Sequence, residues 1–524
     1  MKLWKCLLPG LAVLLAALAA RLPALTAGLP YMSYVDEGHV LHHVSYLLEQ
    51  RTWEPDTYSY PSLPFYLVAG AAQVWSPVYA ARHGHPLRED LSPSPPRLYD
   101  LLEPADLIVI GRLVTLAFSL GIIVLTGLLV RRLAGPGAGL FAAWLAAFTP
   151  ALVARSTVVN INPMAAFFCL AALLFAERAR AGESPRRNAI VAGLLAGLAG
   201  ASKYPAALVC LPVALSVLLA PAGWPERLRR LILAGGAAVL AVLLAMPALA
   251  LRTPAVLQGL RTMDHVYDIQ VMGSYWDQTV HQAEPSLPLR GPEIGIVLLL
   301  LAAAGLLVGL RERRWSGAVA GWLLFGIATG LLVAPYKFRA FRNLLPLVPL
   351  VCAAAALLYA WVRERASSRR FRIGLDLAAF ALPLALFAPT LWDYGHRQWT
   401  RVDSREEVIH WLAGQVKPAD RVLVSEELAI LPSRLATLPS DTRVLSWPKM
   451  RERAIARRDH YLVLANLIRF NGRPRIPPEL YAWIRVNYEE VARFGEIPTS
   501  RENGWFHGNQ RAVVILKRVP RMRP

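Results

Sequence analysis

About eleven long apolar blocks, near residues 7–26, 105–130, 138–154, 163–176, 189–202, 205–220, 231–250, 293–310, 316–334, 344–362 and 373–390, constrain this chain more than any other feature. A segment that crosses a bilayer needs about 20 mostly apolar residues and must satisfy its own backbone hydrogen bonds, which a helix does. Repeated blocks of this kind, with 55% hydrophobic and 18% charged residues and a mean hydropathy of +0.39, argue against a water-soluble globular fold and exclude the fibrous and disordered classes. The pattern predicts an α-helical integral membrane protein with about eleven transmembrane helices.

The 56 Lys and Arg residues against 36 Asp and Glu give a net charge of +20, which in a soluble chain would point to nucleic acid. Placement points elsewhere. The excess gathers in short links between apolar blocks: Arg131 and Arg132; Arg186 and Arg187; Arg227, Arg229 and Arg230; Arg311, Arg313 and Arg314; Arg369, Arg370 and Arg372. Basic links mark the cytoplasmic side, and here alternate links carry them. The stretch 61–81 is apolar but broken by Pro61, Pro64, Gln73 and Pro77. If it spanned, every later basic cluster would face outward, so it reads as an interfacial helix within the first external loop. The N-terminus is then cytoplasmic, the C-terminal part external and the membrane the inner one. Residues 1–26 also fit a cleavable signal peptide, and either choice leaves residue 36 outside. Cys6, Cys169, Cys210 and Cys352 lie in or beside apolar blocks and read as small core side chains, not as disulfides or a metal site.

Residues 1–390 are therefore expected to form the transmembrane domain, with a large first external loop, 27–104, and a fourth external loop, 251–291. From 391 to 524 the composition turns polar. Short stretches rich in Val, Ile or Leu at 421–425, 460–468 and 511–517 alternate with helical spacing at 404–415, behind a Ser404 N-cap, and at 478–493. This predicts a soluble external α/β domain.

The links on the cytoplasmic side are short, so chemistry belongs on the external side. Just past the first block stands Tyr34-Val35-Asp36-Glu37-Gly38-His39. A carboxylate at a bilayer boundary is a stronger base than one in water, and adjacent helical residues diverge by about 100°, so one acid can face a cavity while the other braces it. A solvated acidic helix start is the simpler alternative. Other external junctions carry Tyr58-Ser59-Tyr60-Pro61, the run STVVNINP from Ser156 to Pro163, Lys203-Tyr204-Pro205, and Tyr336-Lys337-Phe338-Arg339-Ala340-Phe341-Arg342-Asn343. Lys203, Arg339 and Arg342 sit against the positive-inside preference; they either snorkel from helix ends or clamp a lipid phosphate. The fourth loop adds Asp264-His265-Val266-Tyr267-Asp268, Tyr275-Trp276-Asp277 and His281, a mixture that suits sugar hydroxyls and ring faces and equally suits a solvated loop. His265 and Asp268, three apart on one helical face, and His39, His42 and His43 are compatible with a divalent metal, but spacing supplies no complete ligand set. P-loop, GxSxG, HExxH and Rossmann glycine patterns are absent, which leaves an ATP-driven pump, a serine hydrolase and a zincin without support.

In order along most of the chain, these motifs resemble the polyprenyl-phosphate-dependent GT-C glycosyltransferases, in particular the bacterial relatives of protein O-mannosyltransferases and of lipid A aminoarabinose transferases (glycosyltransferase family 39-like). The resemblance implies a GT-C membrane domain with the catalytic carboxylate at Asp36 and Glu37 beside it. Tyr60, Asn162, Lys203, Tyr204, Asp268, Arg339 and Arg342 are the substrate-binding candidates. Where the family often has an acid ahead of a proline, this chain has Asn160-Ile161-Asn162-Pro163; an amide orients a hydroxyl but is neither a base nor a good ligand for a divalent cation. The implied reaction is an inverting transfer of a hexosyl or pentosyl group from a polyprenyl-phosphate-sugar donor to a hydroxyl of a lipid, glycan or protein acceptor. It takes place among membrane lipids, with no nucleic acid and with a divalent metal left open. The rival is a non-catalytic transporter or lipid-sugar-binding membrane protein, which would place ionisable residues within the spans and pair two interrupted helices.

Overall fold

The computed structural model describes residues 2–32, 35–91, 102–269, 294–336, 341–400, 402–446, 449, 452–454, 459–465, 478–495 and 513–519. The chain divides into two compact units. The first comprises Met1–Leu25, His43–Arg88 and Val109–His396; the second comprises Thr26–His42, Glu89–Ile108 and Arg397–Pro524. The C-terminal segment thus shares its unit with two stretches that hydropathy assigns to the first loop.

Numbering only helices of more than two turns, the chain runs α1 (Lys2–Ala19), α2 (Val35–Glu49), α3 (Leu63–His83), α4 (Ala105–Ala134), α5 (Pro136–Phe148), α6 (Ile161–Arg180), α7 (Pro185–Ser202), α8 (Cys210–Leu218), α9 (Trp224–Ala245), α10 (Thr253–Ile269), α11 (Ile296–Arg311), α12 (Arg313–Val333), α13 (Val348–Arg365) and α14 (Arg369–Thr400). Each apolar block of the sequence contains a helix. Among the described residues six are long and apolar enough to cross a membrane: Ala105–Ala134, Ile161–Arg180, Trp224–Ala245, Arg313–Val333, Phe341–Arg365 and Arg369–Trp392. Leu8–Ala19, Pro136–Phe148, Tyr204–Leu218 and Ile296–Arg311 are apolar but shorter. Proline sets several of these limits. The block at 138–154 is cut where α5 ends at Thr149 and Pro150 opens a separate short helix, Pro150–Ala154.

Small residues bring the first unit's helices into backbone contact. A Cβ at Gly193 or Gly197 of α7 would overlap the carbonyl oxygens of Ala234 and Ala238 in α9, and one at Gly305 of α11 would overlap that of Ala354 in α13. Gly193 and Gly197 are four apart and so share one face. In lipid no hydrophobic force drives helices together, and close backbone approach of this kind is what packs them. Arg21, fully buried, donates from Nη1 to the carbonyls of Ala17 and Ala147 at 2.9 Å each, tying the end of α1 to the end of α5. The basic links are laced by ion pairs, among them Arg132–Glu183 at 2.7 Å, Arg363–Asp376 at 2.8 Å and Arg365–Glu312 at 2.8 Å. These exposed pairs identify neighbouring links more than they add stability.

The C-terminal segment of the second unit holds α15 (Ser404–Gln415), α16 (Pro478–Asn487) and five strands, β1 (Arg421–Ser425), β2 (Asp441–Leu445), β3 (Tyr461–Ala465), β4 (Tyr488–Phe494) and β5 (Val513–Arg518). The sheet order is β2-β1-β3-β5-β4, with β1 parallel to β2 and β3, and β5 antiparallel to β3 and β4. Val422, Val424, Val463, Val513 and Ile515 face one cluster with Val408 and Leu412; Leu423, Leu462, Leu464, Val514 and Leu516 face another with Ile484 and Tyr488. Both faces are covered, which is why the central strands read as unbroken apolar runs.

Three local expectations change. Asp403, not Ser404, caps α15, its side chain accepting from the Arg405 amide at 2.9 Å. The helical stretch expected over 478–493 stops at Asn487, and Tyr488–Phe494 becomes a strand because β5 offers it a ladder. Asp441–Leu445, mostly exposed and polar, is an edge strand with no hydrophobic alternation to announce it.

Candidate active site

Asp36 and Glu37 fall in the first turn of α2, where the helix dipole favours negative charge. Asp36 is 8% exposed and Glu37 not at all. Two buried carboxylates do not fit a solvated acidic helix start. Asp36 keeps a little access, while Glu37 is enclosed. Within the first unit, His43 of the same helix places Nδ1 2.5 Å from Asp56 Oδ1. Such an imidazole–carboxylate pair fixes a tautomer and is also how metal sites are commonly braced.

In the first unit a polar network is assembled from three separated junctions. Asn160 caps α6: its Oδ1 accepts from the Asn162 backbone N–H at 2.8 Å and from Asn162 Nδ2 at 2.5 Å. With its amino group engaged there, Asn162 turns its carbonyl oxygen to Lys203 Nζ, 2.5 Å away. Lys203 ends α7 in an extended conformation between that helix and the 3-10 turn Tyr204–Val209, and this turns the chain out of the helix. Its ammonium also donates to Asn343 Oδ1 at 2.8 Å, and that same oxygen accepts from the Tyr267 hydroxyl of α10 at 3.3 Å. Asn343 and Arg342 belong to the 3-10 turn Phe341–Leu347, and both are buried. Arg155, buried as well, lies over the Phe341 ring at 5.6 Å. Three cations, Arg155, Lys203 and Arg342, thus belong to the same apolar unit.

Tyr204 uses its hydroxyl to donate to the Tyr58 carbonyl at 2.9 Å, and α10 meets the same backbone through Gly259, which has no room for a Cβ beside Tyr58. Burial, with the Glu54 carboxylate next, pushes the Tyr58 phenol up to about 12, so it remains a donor at neutral pH. Tyr60 is half-buried. Arg339 lies outside the described residues, as does the Asp268 side chain; His265 is exposed. Asn343 and Arg155 had no candidate role in the sequence, and Tyr267 stood only among the aromatics of the fourth loop that suit a sugar ring. Asn343 stands directly after Arg342 in a stretch already singled out, but nothing local in the sequence pairs it with a lysine 140 residues earlier.

Residues 106–250 match the family described as dolichyl-phosphate-mannose-protein mannosyltransferase. No curated protein sequence matches the chain. Among solved structures, ArnT from Cupriavidus metallidurans bound to undecaprenyl phosphate is similar with a TM-score of 0.55 at 13% identity, covering 98% of each chain. The archaeal oligosaccharyltransferase AglB from Archaeoglobus fulgidus, in complex with an inhibitory peptide and a dolichol-phosphate, is similar with a TM-score of 0.52 at 14% identity, covering 88% of this chain and 69% of that one. At such identities the likeness is one of fold. The family match is a likeness over residues 106–250, and both findings agree with the GT-C, PMT-like resemblance of the sequence motifs.

Proposed function

We propose that this chain, PMT-like over residues 106–250 and GT-C in fold, is a membrane glycosyltransferase that takes a sugar from a polyprenyl-phosphate-sugar donor and gives it to a hydroxyl of a lipid, glycan or protein. The observation that carries this reading is the gathering of buried cations in one apolar bundle: Lys203, 7% exposed, which donates to the amide oxygens of Asn162 and Asn343, with Arg155 and Arg342. Several positive charges at low dielectric favour an anionic ligand. The two similar solved structures supply the class of anion, since undecaprenyl phosphate and dolichol-phosphate are both polyprenyl phosphates.

In the reaction, the acceptor oxygen attacks the anomeric carbon, the bond from that carbon to the phosphate oxygen breaks, and polyprenyl phosphate leaves with the bonding pair. Asp36 takes the acceptor proton as the new bond forms. Lys203, Arg342 and Arg339 stabilise charge accumulating on the departing phosphate, and a single displacement inverts the anomeric centre. The transferred group is a hexosyl or pentosyl unit. The alternation of basic links supports a site on the external face of the inner membrane, a cytoplasmic N-terminus and an external C-terminal segment.

Lys203→Gln removes the charge and keeps most of the length. Purified in detergent and titrated with undecaprenyl phosphate, this variant is expected to bind at least about tenfold more weakly, as a hydrogen bond to a charged group is worth roughly 1.5–3 kcal/mol. Equal affinity in parent and variant would reject a phosphate site at Lys203.

A further inference from the structure

Asn343 is the most buried amide beside Lys203 whose hydrogen-bonding capacity is used on one side only. Its Oδ1 accepts twice, from Lys203 Nζ at 2.8 Å and from the Tyr267 hydroxyl at 3.3 Å. Its Nδ2 is buried and, among the described residues, donates to nothing, although the residue is only 6% exposed. The amide cannot be turned over to relieve this, because an –NH2 facing the ammonium would set donor against donor. Native proteins rarely leave a buried N–H unsatisfied. An orphaned donor next to a buried ammonium is a place for one acceptor that carries negative charge.

Resting on the phosphate reading of Lys203, we propose that Asn343 is itself a ligand of the donor phosphate, its Nδ2–H donating to one phosphate oxygen while its carbonyl holds the Lys203 ammonium against the same group. Asn162 plays the complementary part. Its carbonyl receives the ammonium without neutralising it, and its own amino group is already fixed on Asn160. A carboxylate at either amide position would hold Lys203 equally well but would cancel the charge the phosphate needs. On this assignment, the amide at Asn162 adds no negative charge that would compete with the phosphate for the lysine.

Asn343→Asp separates the two roles of that side chain. It preserves an oxygen for Lys203 and Tyr267, removes the N–H and adds a negative charge. The full-length variant should keep or gain thermal stability while its affinity for undecaprenyl phosphate falls at least about tenfold. Affinity for uncharged undecaprenol should not move, since the apolar contacts are untouched. Asn343→Val, which loses both arms without adding charge, carries the same test if the aspartate variant fails to fold: the ratio of undecaprenyl phosphate to undecaprenol affinity should drop, whereas a general collapse of the site would lower both together. Parental affinity for undecaprenyl phosphate in a folded Asn343 variant, or an equal loss for both lipids, overturns the assignment. If Lys203→Gln also binds undecaprenyl phosphate as the parent does, the phosphate reading itself fails; if Lys203→Gln is impaired and the Asn343 variants are not, only the role of Asn343 fails.

Discussion

Replacing Asp36 with Asn should lower the turnover of sugar transfer by roughly a hundredfold or more and leave the affinity for the lipid-phosphate donor near the parental value. The amide matches the carboxylate in size, so what is lost is the capacity to take up the acceptor's proton in the transition state. Burial separates the two adjacent acids. Asp36 retains 8% of its surface, while Glu37 has none and sits on the neighbouring azimuth of the same turn. Glu37→Gln should therefore change stability or the placement of α2 more than it changes the proton-transfer step. Initial rates over a donor titration separate these outcomes. Transfer at the parental rate by purified Asp36→Asn protein would remove Asp36 as the base.

A comparably large effect is expected at Arg405, a residue outside the proposed catalytic and phosphate-binding set. Its guanidinium is fully buried: Nε donates to Asp403 Oδ1 and Nη2 to Asp403 Oδ2, both at 2.8 Å, and the group lies over the Tyr31 ring at 3.8 Å. Asp403 Oδ1 also caps α15. Burial, outweighing the nearby guanidinium, pushes the Tyr31 phenol up, so the ring faces the cation as a neutral aromatic at neutral pH. Arg405→Leu leaves the Asp403 carboxylate buried without its countercharge, a change that costs about 3–5 kcal/mol. The C-terminal segment of the full-length variant should be cleaved much faster than the parent's in limited proteolysis. The double variant Asp403→Asn, Arg405→Leu should recover part of the loss, because the unpaired charge is gone while the amide oxygen can still cap the helix. No recovery would mean that packing, and not charge, is what Arg405 supplies.

Lys203 and Asn162 illustrate how far the candidate site was legible. Lys203 stood out because a cation at a helix junction that the pattern of basic links puts outside defies the topological preference, a property of position along the chain. Asn162 stood out as an amide in place of an expected acid, and its partner could not be read. That partner is 41 residues away, and the bond depends on where the turn after Ser202 points the lysine. Arg339 and the Asp268 side chain lie outside the described residues, so the structure adds nothing to either.

Properties that follow from runs of neighbouring residues were settled by the sequence itself: the helical bundle, from the length and apolarity of its blocks; and α15, β1 and the core of β3, from local spacing, whereas the break at Pro150 falls inside a block, 138–154, that hydropathy reads as continuous. What depends on distant chain segments meeting was decided only in three dimensions. β2 and β4 exist because β1 and β5 offer them hydrogen-bond ladders, and their exposed residues carry little signal alone. Thr26–His42 and Glu89–Ile108 join the C-terminal segment in one unit although a hydropathy profile places most of both stretches in the first loop. Asn343 reaches Lys203 across 140 residues. Hydropathy and turn chemistry act within a few residues, whereas a hydrogen bond between remote side chains requires the backbone path of every element between them, and that path exists only in the packed fold.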